Sequence, residues 1–116
     1  MRMLVGAARR PRLGSMHLVQ ILLPLTDNDG VAFTREDFAQ VRSELSERFG
    51  GITAFTRSPA EGVWTDFGKA HRDDLFVLEV MARDIDHAWW EAYRAELERR
   101  FRQETLAVRA IKVDML

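Results

Sequence analysis

Residues 74–82 read DLFVLEVMA, and their alternation defines two faces. In an extended chain Phe76, Leu78 and Val80 point one way, while Leu75, Val77, Glu79 and Met81 point the other. HLVQILLP (17–24) has the same two-sided character: Val19, Ile21 and Leu23 oppose Leu18, Gln20 and Leu22 before Pro24 ends the run. Both stretches read as strands that need cover on two sides, because each face carries too many large aliphatics to stay wet.

The neighbouring segments supply cover for one side. After the turn chemistry of LTDNDGVA, Thr34 is expected to cap a helix, with Asp37 three residues on and Phe33 and Phe38 at hydrophobic-staple spacing. Phe38, Val41, Leu45 and Phe49 make one apolar face, and Gly50-Gly51 ends the helix. ITAFTR (52–57) reads as a strand. A second helix is expected from Asp84 or Asp86 to about Glu104, and LAVRAIKVDM (106–115) closes the chain as a last strand.

The order β-α-β-β-α-β is the split βαβ pattern of an α+β, ferredoxin-like fold. Right-handed crossovers then put both helices on one face of an antiparallel-containing sheet. Residues 17–116 are expected to form a single domain. MRMLVGAARRPRLGSM (1–16) is basic and acid-free, the composition of a disordered leader or of an upstream start with Met16 as first residue. The face that the helices leave open remains apolar, and a second subunit packed there is the simplest cover. A homodimer is the expected state.

The open face carries the best candidate chemistry. The first and third strands are neighbours in this topology, so Gln20 and Glu79 are expected side by side. Arg109 or Lys112 on the last strand, or Arg57 on the second, would supply a cation. Burying Glu79 without a partner would cost several kcal/mol. Glu79 is thus either an interface ion pair that sets dimer register, the preferred reading, or an acid/base and ligand anchor in a cavity.

The connection TRSPAEGVWTDFGKAHRDD (56–74) is too long for a tight hairpin, and loops of that length carry function or hidden structure. Trp64 either plugs one end of the core or walls a pocket, and His71 is a second candidate acid/base. On the second helix Trp90, Tyr93, Leu97 and Phe101 share one stripe, with Trp89 about 80° off it. Trp90 is therefore core, and Trp89 a boundary residue suited to a subunit contact, a ligand wall or a cap on its own sheet edge.

Composition narrows the functions. The chain has no Cys, which excludes disulfides, thiolate nucleophiles and Cys-based metal centres and suits a cytoplasmic protein. The apolar runs, such as Ile21-Leu22-Leu23, fall far short of a membrane span. From His17 onward 13 basic residues face 18 acidic ones, which argues against a nucleic-acid partner. Its strand order is shared with RNA-recognition modules, but only Phe76 is placed to stack a base. His17, His71 and His87 form no metal-ligand spacing, and LTDNDGVAFTRE matches a calcium loop only at Asp27, Asp29, Gly30 and Glu36. Nucleotide and hydrolase motifs are missing, so no metal and no cofactor is expected.

RFGGIT, the later GVW and RRFRQETLAVRA together resemble an uncharacterised family of small bacterial ferredoxin-like proteins. Phe101, Gln103 and Glu104 match a Phe-x-Gln-Glu pattern before the final strand, and Trp64 matches a Gly-x-Trp. More broadly the layout is similar to dimeric α+β barrel proteins, in which two such subunits pack sheet to sheet around small-molecule pockets. That resemblance implies a homodimeric binding or interaction protein or, alternatively, a small-molecule enzyme of the kind of a cofactor-independent monooxygenase or isomerase. Whether the chain is an enzyme at all is left open by its residues.

Overall fold

In the computed structural model, which describes residues 14–57 and 74–116, six elements follow the expected order. They are β1 (Ser15–Pro24), α1 (Arg35–Phe49), β2 (Ile52–Arg57), β3 (Leu75–Ala82), α2 (His87–Arg100) and β4 (Ala107–Asp114). The four strands form one sheet in the order β2-β3-β1-β4, and every neighbouring pair is antiparallel. This is the ferredoxin-like α+β topology, with the first and third strands at the centre. β1 begins at Ser15, so Ser15 and Met16 already pair with Asp114 and Val113 of β4. Residues 1–13 of the expected leader, and residues 58–73 of the connection between β2 and β3, which carry Trp64 and His71, lie outside the described residues.

Alternation along β1 and β3 is resolved by the helices. Val19, Ile21 and Leu23 are fully buried with Leu78 and Val80, and the same cluster takes in Val41 and Leu45 of α1 and Trp90 and Leu97 of α2. Both helices therefore cover the face of Val19, Ile21 and Leu23. Phe101, Phe33 and Leu106 close one end of this core. Phe33, Phe38 and Phe101 meet edge-on or tilted, with ring centroids 4.8 to 6.4 Å apart, a geometry that suits the aromatic quadrupole.

The start of α1 follows from its sequence. The Thr34 hydroxyl accepts the Asp37 N–H at 3.2 Å, and the Asp37 carboxylate accepts the Thr34 N–H at 2.8 Å. Two backbone donors that a helix cannot satisfy internally are thereby paired. At the other end Gly50 adopts φ +86°, which glycine reaches without strain, and its N–H returns to Ser46 O at 2.8 Å.

α2 ends at Arg100, four residues before the expected end at Glu104. Arg102 takes φ +50°; its N–H turns back to Arg99 O at 3.3 Å, and the Gln103 N–H to Glu98 O at 2.9 Å. These two bonds are the Schellman arrangement, which normally recruits glycine at the left-handed position. An arginine stands there because its side chain is used: it bonds Asp27 at 3.1 Å and lies 4.9 Å from the centre of the Phe33 ring. Asp27 also accepts the N–H groups of Asp29 and Val31, each at 2.9 Å, so the segment that resembled a calcium loop is a turn pinned to the end of α2.

Replacing the cap tests this account of α1. Thr34→Ala is expected to cost about 1 kcal/mol in urea unfolding, while Thr34→Ser, which keeps the hydroxyl, should stay within a few tenths. Equal losses for both variants would show that the cap is not what holds this end.

Candidate functional site

The other face of the sheet presents a polar row within apolar surroundings. Register places Thr53 of β2, Glu79 of β3, Gln20 of β1 and Arg109 of β4 side by side. Gln20 donates from Nε2 to Glu79 Oε2 at 2.7 Å and accepts from Arg109 Nε at 2.7 Å. Its amide thus relays between an acid and a base on either side of it. Gln20 is 9% exposed, Glu79 half-buried and Arg109 exposed, so the relay runs outward from the sheet centre towards its β4 edge.

Apolar rows flank this line on both sides. Phe55, Val77, Leu22 and Ala107 form one, and Met81, Leu18 and Ile111 the other. Val77 is 1% exposed yet stands outside the cluster beneath the helices, whereas Phe55 and Ile111 are exposed. A charged pair bridged by an amide, set in an apolar surface, is an arrangement that burial would strengthen, since lower dielectric raises the value of each satisfied hydrogen bond.

The candidates fall out unequally. Gln20, Glu79 and Arg109 are brought together. Lys112 pairs in register with His17 and so points to the helix-covered side, which leaves Arg109 as the cation that β4 contributes to the row. Arg57 ends β2 opposite Leu75, exposed and four register positions from Glu79. Trp89 belongs to the helix layer: it stacks on Tyr93 at 4.8 Å, meets Phe49 and Trp90 edge-on, and carries the Arg48 guanidinium 4.2 Å above its ring. Trp90 is buried as expected of a core residue.

A second polar cluster, with no counterpart in the sequence reading, joins the two helices. Arg100 donates to both oxygens of Glu44, at 2.9 and 2.8 Å, and to Glu96 at 2.9 Å, while the Tyr93 hydroxyl donates to Glu44 at 2.8 Å. Burial pushes the Glu44 carboxyl upward, but the hydrogen bonds from Arg100 and Tyr93 outweigh it and hold the group below its ordinary value. Burial, and then the bond to the Glu44 carboxylate, push the Tyr93 hydroxyl well above its ordinary value. Among the described residues no group of three or more His, Asp or Glu side chains is placed to hold a metal ion, and no helix is long and apolar enough to cross a membrane.

No protein-family model matches the chain, and neither the curated proteins nor the solved structures give a significant match.

Two titrations examine the helix-joining cluster. Tyr93 is the single tyrosine of the chain, so phenolate absorbance reports it alone. It should stay protonated at pH 10, where a free tyrosine is about half ionised, and titrate lower in Glu44→Gln. Normal titration in protein still folded by circular dichroism would contradict the bond. Because the Glu44 pKa is depressed on folding, its contribution to stability is present above 4.5 and lost as the pH falls through the lower folded value. The gap in melting temperature between wild type and Glu44→Gln should therefore close below pH 4.5; a gap that persists unchanged would rule the pairing out.

Proposed function

We propose that the chain works as a homodimer joined through the open sheet face, and that it serves as a small binding or interaction protein. The observation that carries this reading is the Arg109–Gln20–Glu79 relay. Polar side chains are already bonded to one another between two flanking apolar rows, the composition of an interface core with a central polar fixture. Such a fixture sets register more than it adds stability. Leu18, Leu22 and Met81 beside it are half-buried, and Ile111 is 44% exposed, so apolar area remains for a partner to remove from water.

A second reading is favoured by one detail. Glu79 uses only Oε2 within the described residues, and it is the one carboxylate of the strands on this face. A carboxylate with a spare oxygen beside an arginine suits an acid/base or ligand anchor in a small-molecule enzyme of the dimeric α+β barrel kind. His71 and Trp64, which that reading would enlist, lie outside the described residues.

The proposal extends to membership of the uncharacterised bacterial family that the chain resembles and to a cytoplasmic location, which the absence of Cys favours. In this chain Phe101, Gln103 and Glu104 lie at the stop of α2: the Phe101 ring is core, its carbonyl accepts from Gln103 Nε2 at 3.0 Å, and the Gln103 N–H closes the helix end. Phe101 and Gln103 therefore have a structural role in this chain.

Light scattering at micromolar concentration is expected to give twice the chain mass. A monomer at that concentration would remove the basis for the homodimer. Under the enzyme reading, Glu79→Gln would abolish small-molecule binding in a thermal-shift screen and leave the dimer intact; loss of the dimer instead favours the interaction protein.

A further inference from the structure

We propose that two copies pack open face to open face about a two-fold axis that runs parallel to the strands and passes over Gln20, so that each Glu79 meets Arg109 of the partner subunit. This deepens the homodimer reading and rests on it.

The sheet itself supplies the argument. Across the row the order is Thr53, Glu79, Gln20, Arg109, on β2, β3, β1 and β4. Neighbouring strands are about 4.8 Å apart, so an acid and a base stand at equal distances on either side of Gln20. A two-fold interface is self-complementary: whatever the axis carries one residue onto must suit it. An axis parallel to the strands above β1 exchanges the β3 and β4 sides. Glu79 then lies opposite Arg109 of the partner subunit, twice over, with the two Gln20 side chains facing each other at the centre.

An axis along the row, perpendicular to the strands, does the reverse. It lays Glu79 on Glu79 and Arg109 on Arg109, two like-charge contacts in a desolvated interface. Such contacts oppose association. Charge therefore selects between the two ways of stacking the same faces.

The internal bonds leave the needed atoms for this exchange. Gln20 engages Glu79 through Oε2 and Arg109 through Nε, so Glu79 Oε1 and the two terminal nitrogens of Arg109 make no hydrogen bond among the described residues. A guanidinium presents those nitrogens as a fork suited to a carboxylate. The apolar rows obey the same operation. Leu22 meets Leu22 and Leu18 meets Leu18 on the axis, while Val77 lies opposite Ala107 and Met81 opposite Ile111. Apart from the polar row, the contacts it generates between facing strands are apolar.

Charge exchange tests the geometry in the full chain, with dissociation constants read by sedimentation and folding checked by circular dichroism. Glu79→Gln should weaken the wild-type dimer about tenfold or more. Glu79→Arg and Arg109→Glu should each be monomeric alone, and an equimolar mixture should form a heterodimer. The double reversal E79R/R109E should dimerise again, which separates lost pairing from lost folding. A tighter dimer in Glu79→Gln would mean that like charges meet, and would overturn the axis. A wild-type dimer untouched by every one of these changes would place the row outside the interface, overturning this inference while leaving the homodimer. A monomeric wild type would overturn both.

Discussion

A four-stranded sheet has two faces, and this chain supplies helices for one. The central strands β1 and β3 are apolar on both sides, so burying Val19, Ile21, Leu78 and Val80 beneath α1 and α2 leaves Leu18, Leu22, Val77 and Met81 on the other side. Everything else in the molecule works within that constraint. The helix layer is completed internally: Trp89, Trp90, Phe49 and Tyr93 pack together, and Glu44, Arg100 and Glu96 fasten one helix to the other. The sheet's far face has no comparable cover among the described residues.

Into that face the sequence inserts one polar row. Gln20 stands at the middle of the central strand, where an aliphatic residue would have added more apolar burial. A buried amide is tolerable only if its donor and acceptor are satisfied, and Glu79 and Arg109 satisfy one each. The row therefore holds itself together at modest net gain in stability, and its consequence is directional. It gives the apolar rows on either side of it a charge order, which can tell one stacking of two sheets from another. Buried polar groups are best attested in this register-setting role.

Much of the fold is legible in the residues, and the exceptions have identifiable causes. Thr34 with Asp37, the Phe33–Phe38 staple and Gly50 bound α1 because capping is a local matter of side chains and adjacent backbone. The element order puts β1 beside β3, so Gln20 and Glu79 were legible as near neighbours, whereas the register that pairs them directly is set by the fold. The side chosen by the helices was illegible in β1 and β3, since both of their faces are apolar. The end of α2 was missed because a left-handed arginine leaves no glycine to mark it; its reason, the Asp27 bond, lies 75 residues away. The Glu44–Tyr93–Arg100 cluster was missed for the same cause. Its members are 49 and 56 residues apart, and helix periodicity says which face they share but not which helix faces them.

The proposed burial of the open face by a second copy is directly measurable, because the chain lacks cysteine. A thiol placed at position 111 by Ile111→Cys would sit on a residue that is 44% exposed in the single chain and would lie opposite Met81 of the partner subunit in the dimer. Its rate of reaction with a soluble disulfide reagent should be slow in concentrated protein and rise towards that of a free thiol on dilution. A fast rate that does not depend on protein concentration would contradict the burial of this face by a second copy.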